Sequence, residues 1–134
     1  LKIIYADYSS GSLIIEFIGE WNDALHNDVM YLKRNLIDYY LLQGFRQFVL
    51  IGENVFNFHG SEDEYYDEWL EEIEDGWIVS IGFQHHVIDE MSKFGIDACF
   101  NYGGDLTFDD WRSFHPLKLI SKINHIMTRR LGLM

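Results

Sequence analysis

The apolar residues of this chain repeatedly change their period, and that alternation constrains the fold more than any other feature. Residues 2–8, KIIYADY, and 12–18, SLIIEFI, read as two β runs, and the SSGS between them is a turn signal that makes them a hairpin. GEWND then turns the chain and offers a helix cap at Asn22 or Asp23. Over 24–43 the period becomes helical. Leu25, Val29, Leu32, Leu36 and Tyr40 recur at three and four residues, and Gly44 stands where a C-terminal glycine belongs. FRQFVLIG, 45–52, ends in a short continuous apolar run, as in a strand covered on both faces. A helix over 61–75 follows, opened by Ser61 and Glu64 as an S-x-x-E capping box. WIVSIG, 77–82, is a further strand, HHVIDEMSKF, 85–94, a helix closed by Gly95, and IDACFN, 96–101, the last strand. Thr107 and Asp110 can cap a short helix through Ser113, and Pro116 suits the first turn of a final helix over 116–131.

The resulting order, β-β-α-β-α-β-α-β-α, predicts an α/β fold. Strands alternating with helices pair in parallel through right-handed crossovers, with helices on both faces. The expectation is a mixed, mostly parallel sheet of about five strands with an N-terminal antiparallel hairpin. At 134 residues the chain suits one domain over 1–134, closed by a basic C-terminal helix, 116–134. No apolar run approaches the roughly 20 residues that a membrane helix needs. The lone cysteine, Cys99, has no internal partner for a disulfide, which fits a reducing, cytoplasmic setting.

Charge is unevenly placed. The net charge is −12, and between Gln47 and Glu90 there are twelve acids and no Lys or Arg. After Asp110 there are five bases and no acids. Such a middle repels phosphates, so nucleic acid is not an expected partner. A basic protein, a metal ion or plain solubility can each account for it. Within the 61–75 helix, Glu68, Glu71, Glu72 and Asp75 repel one another at three- and four-residue spacings. The basic tail, of this chain or of another copy, is an obvious counterweight, and a homo-oligomer is one way to supply it.

Three groups of residues are candidates for function. The first is a docking face made of His59, Ser61, Glu62, Asp63, Glu64, Tyr65, Glu68, Trp69 and Glu72, against which stands the plainer reading of a solvated helix face. The second is a metal site. His85 and Asp89 share a helix face, as do His86 and Glu90, and His59 at a strand end could add a third ligand. The third is the set of paired aromatics. Tyr39–Tyr40 and Tyr65–Tyr66 cannot both face inward, so one of each pair belongs at an edge. No nucleophile elbow, phosphate loop or dinucleotide fingerprint occurs, so no cofactor is expected.

From about Leu13 to Phe114 the chain resembles a STAS domain, the fold of bacterial anti-sigma factor antagonists. Gly19-Glu20-Trp21-Asn22-Asp23 corresponds to the family's opening turn, Gly44 and FRQFVLIG to its first helix end and following strand, and KFGIDACFNYGGDLTFDDW to its last strand and helix. The resemblance implies a non-catalytic regulatory domain that binds protein partners, controlled by phosphorylation of a serine in a D-S-S-G turn. Here that turn reads Phe58-His59-Gly60-Ser61-Glu62, and Ser61 is the only serine in it. A phosphate would suit a helix N-terminus, but Glu62, Asp63 and Glu64 already occupy that first turn. Ser61 is therefore expected to act as a cap. The leading expectation is partner docking through the acidic helix; the rival is a small enzyme or metal-binding domain built on His59, His85 and His86.

Overall fold

A computed structural model describes residues 1–61 and 64–132. Four strands lie in the order β1-β2-β3-β4: β1 (Lys2–Asp7), β2 (Ser12–Asn22), β3 (Gln47–His59) and β4 (Trp77–Ile81). The hairpin pair β1–β2 is antiparallel, while β2–β3 and β3–β4 are parallel. The parallel strands step across the sheet in one direction, so a single hand of crossover places their connecting helices on one face.

Alternation along the strands divides the core into two layers. Leu13, Ile15, Phe48, Leu50 and Ile78 face the first layer with the helices between Asp28 and Ser92. Ile14, Val49, Ile51, Val79 and Ile81 face the second, covered by α6 (Pro116–Arg130) through Leu119, Ile120, Ile123 and Met127. Nearly every one of these strand residues is fully buried, each stabilising the fold by about 1.5–3 kcal/mol over an exposed position.

The first helical region is more broken than its apolar period predicts. α1 is one turn, Asp23–His26, capped by the Asn22 side chain accepting from Leu25 N–H. Asn27 then takes a left-handed conformation at φ 52°, which asparagine tolerates better than most residues. α2 (Asp28–Leu32) widens into a π turn over Lys33–Ile37, in which Asp38 N–H bonds to Lys33 C=O, and resumes as α3 (Asp38–Leu42). α4 (Glu64–Ile73) and α5 (His85–Ser92) complete the first layer.

The expected fifth strand over 96–101 does not form. Ile96–Cys99 is a 3-10 turn, and only Asn101 bridges β4, through Asn101 N–H to Ile78 C=O at 2.8 Å and Ser80 N–H to Asn101 C=O at 2.9 Å. The buried residues are Ile96, Cys99 and Phe100, spaced at three and four, so the segment follows a helical period rather than a period of two. The short helix expected through Ser113 is likewise a single 3-10 turn, Trp111–Ser113, preceded by another at Gly104–Leu106. Pro116 does open the last helix, and His115 Nδ1 caps it by accepting from Leu117 N–H. No helix among the described residues is long and apolar enough to cross a membrane.

Candidate functional site

The C-terminal edge of the parallel strands gathers most of the polar chemistry. β2 and β3 stay paired as far as Asn22 and His59, whereas β3 and β4 part after Ile51 and Ile81. The long β2–β3 extension therefore stands above the end of β4, and α5 packs beside it.

At the root of this edge lies a buried carboxylate. Asp23 Oδ1 accepts from Trp21 Nε1–H at 2.9 Å and from Val29 N–H at 2.8 Å, and Oδ2 accepts from the Tyr66 hydroxyl at 2.6 Å. Burial pushes the Asp23 carboxyl above its ordinary value, against the pull of these three donors. Burial and the adjacent Asp23 charge hold the Tyr66 phenol far above its own. Trp21 packs on Phe17, Phe58 and Tyr66, so the network is walled by rings. It ties the start of α4 to the end of β2.

His59 closes β3 with its Nε2 2.9 Å from Glu20 Oε1, an ion pair whenever the imidazole is protonated. The following turn is pinned from below: a Cβ on Gly60 would come within 2.2 Å of the Phe94 ring. Ser61 is exposed beyond it. Glu62 and Asp63 lie outside the described residues, and the capping box expected of Ser61 and Glu64 does not form among the described ones, since no hydrogen bond joins the two. Of the remaining docking candidates, Glu64 is exposed and Tyr65 half-buried, with Tyr66 inward; Tyr39 and Tyr40 divide in the same way. Trp69 is fully buried edge-on against Phe48, so it anchors α4 and presents no surface.

Glu68 and Glu72 have an internal counterweight that the charge pattern alone did not reveal. Lys33, without solvent exposure, lies 3.2 Å from Glu68 and 2.9 Å from Glu72 and also pairs with Asp38. Arg34 reaches Glu68 at 2.9 Å and Asp38 at 3.0 Å. Burial opposes the Lys33 charge, but the three carboxylates raise its pKa above the ordinary value. Arg34 holds Glu68 below the usual carboxylate range, and Lys33 and Arg34 outweigh burial to do the same for Asp38. The expected role of the basic tail is thus corrected within the chain. Arg129 and Arg130 pair with Asp105, and Arg112 with Glu16 and Glu53. The missed signal was Lys33 itself, four residues from both Val29 and Ile37 and so on the inward stripe of its helix.

His59 and His86 both lie within electrostatic reach of Glu90, yet the candidate ligands do not converge on one point. His86 Nε2 donates to Phe56 C=O at 2.6 Å, and His85 faces a separate cavity beyond β4. Among the described residues, no group of three or more His, Cys, Asp or Glu is placed to hold a metal ion.

No family model matches the sequence, and no curated protein matches it either. Solved structures do match in fold. The anti-sigma factor antagonist SpoIIAA in its unphosphorylated form superposes with a TM-score of 0.61 at 12% identity, over 92% of this chain and 96% of that one. The Bacillus cell fate determinant SpoIIAA in its phosphorylated form gives 0.49 at 12% identity, over 78% and 91%. The first of these establishes a STAS-like fold for this chain.

Proposed function

We propose that this STAS-like domain is a non-catalytic regulatory module that docks a basic protein partner through the His59–Ser61 turn and the acidic outer face of α4. The observation that carries this reading is a division among the acids. Glu68 and Glu72 are engaged by Lys33, whereas Glu64, Asp67, Glu71, Glu74 and Asp75 form no ion pair with any base among the described residues. These acids are exposed; Glu64 opens α4 at the strand edge where open parallel sheets place their ligands, and the others follow it along the helix and the turn after it toward the start of β4, on a fold shared with an anti-sigma factor antagonist. Glu62 and Asp63 adjoin them in sequence and extend the same acidic run. Ser61 serves here as part of the docking turn, since a phosphate beside three acids would meet like charge.

The test is affinity capture from the source lysate, with wild-type protein and a Glu64→Lys, Asp67→Lys, Glu71→Lys variant as baits. The expected result is a basic protein held by wild type, lost by the variant, and released at high salt, because exposed charges are screened over about 10 Å at 0.1 M. Light scattering of the purified protein at low salt identifies the case in which the partner is a second copy. Capture that is indifferent to charge reversal and to salt would sink the reading.

A further inference from the structure

A cavity at the end of β4 shares no lining residue with the docking turn. Ser80 falls at an inward position of β4, on the face that Ile78 gives to the first core layer, where the alternation calls for an apolar side chain. The residue is 94% buried, and its Oγ has no hydrogen-bond partner among the described residues. A buried hydroxyl left unpaired is destabilising and uncommon. Ser80 is one of the residues that line this cavity of about 540 Å³, within the size range of small-molecule sites.

The cavity has a consistent chemistry. Phe83, Met91 and Phe100 supply an apolar wall, and Asp97 and Asp109 supply carboxylates. Tyr102 turns its hydroxyl toward Asp97 Oδ2 at 3.5 Å and leaves the other carboxylate oxygen for a further donor. Neither Lys nor Arg lines it among the described residues. His85, the first residue of α5, also lines the cavity, and an anion entering it would meet the carboxylates of Asp97 and Asp109. A ligand that donates hydrogen bonds, carries positive charge and has an apolar body matches every wall.

We propose that this cavity binds a small organic ammonium, with the Ser80 hydroxyl and the Asp97 carboxylate accepting its N–H groups and its apolar body against Phe83, Met91 and Phe100. The probe is phenethylammonium chloride at neutral pH, read by amide chemical shifts, with 2-phenylethanol and 3-phenylpropanoate as neutral and anionic counterparts. The ammonium is expected to shift the Ser80, Gly82 and Gly103 amides saturably, and the two counterparts to bind at least about tenfold more weakly. Ser80→Ala is expected to raise the melting temperature of the free protein while weakening the ammonium at least about fivefold, a combination that a merely structural hydroxyl would not give. Asp97→Asn, checked for folding by circular dichroism, is expected to weaken it about tenfold. No saturable shift with wild type, equal binding of the alcohol or the carboxylate, or unchanged binding by Ser80→Ala would each overturn the proposal. If Asp97→Asn does not fold, Ser80→Ala and the two counterpart ligands still decide it.

Discussion

The Asp23 carboxylate accepts from three donors, and its substitutions separate charge from hydrogen bonding. Asp23→Ala leaves Trp21 Nε1–H, Val29 N–H and the Tyr66 hydroxyl without their acceptor and is expected to cost about 3–5 kcal/mol in a urea melt. Asp23→Asn keeps an acceptor oxygen and removes the buried charge, so it should cost far less. The Asp23 pKa is raised on folding, so its contribution to stability is present at low pH and is lost as pH rises through that raised value. The advantage of wild type over Asp23→Asn should therefore grow as pH is lowered from neutral toward the ordinary carboxylate range; an advantage that shrinks would refute the buried-charge account. Gly76 gives a second residue-scale test. A Cβ there would lie 1.8 Å from the Arg46 carbonyl oxygen, which accepts Trp77 N–H at 3.0 Å where β3 and β4 begin to pair. Backbone on both sides cannot yield as a side chain could, so Gly76→Ala is expected to lower stability by at least about 2 kcal/mol, read from the denaturant midpoint. The fold takes Asn22 as its first helix cap, and a cap at Asn22 or Asp23 was legible from the neighbouring residues. The need for glycine at 76 was not, because the atom it avoids is thirty residues away in sequence.

At the scale of elements, the π turn and α4 form one electrostatic unit. Helical periodicity revealed the apolar stripe through Val29, Leu36 and Tyr40 but passed over Lys33, whose inward place makes sense only beside the acids of α4. Lys33→Met is expected to destabilise by about 1–3 kcal/mol, between a pair fully in water and a pair fully buried, because its carboxylate partners remain partly solvated. Asp38 and Glu68 have depressed pKa values, so their contribution is present above the ordinary carboxylate range and is lost as pH falls through those depressed values. Lys33→Met should flatten this acid limb of the stability profile, measured by thermal melts in a pH series; an unchanged acid limb would refute the coupling. The segment 96–101 shows a different limit of reading by pattern. Six residues rich in apolar side chains fit either a strand or a helical turn, and the choice fell to which of them could reach the first layer.

The whole molecule is two apolar layers on one sheet, and its four tryptophans divide evenly between them. Trp21 and Trp69 lie in the layer under α4, Trp77 and Trp111 in the layer under α6. Both layers depend on the same strands, so they should unfold together. Variants that keep only one pair of tryptophans, the other replaced by Phe, are expected to show the same denaturant midpoint by fluorescence as by far-UV circular dichroism. Two midpoints would show that α6 and its turns melt separately. The same scale explains the charge. A net −12 concentrated in the middle of the sequence is met only in part in the fold: Lys33, Arg34 and Arg112 come from outside that span to meet Glu68, Glu72 and Glu53, while Glu64, Asp67, Glu71, Glu74 and Asp75 form no ion pair among the described residues.

The sequence by itself determined the α/β class, the N-terminal hairpin, the parallel strands, the final helix and the STAS-like resemblance, because period, caps and glycines act over a few residues. Only the tertiary structure decided that four strands form among the described residues, that Lys33 and Arg34 meet Glu68 and Glu72 within the chain, and that Ser80 lines a cavity while its buried hydroxyl has no hydrogen-bond partner among the described residues. Those outcomes rest on contacts between residues far apart in the chain. Their energies depend on burial and on which charge lies opposite, and no local pattern carries either quantity.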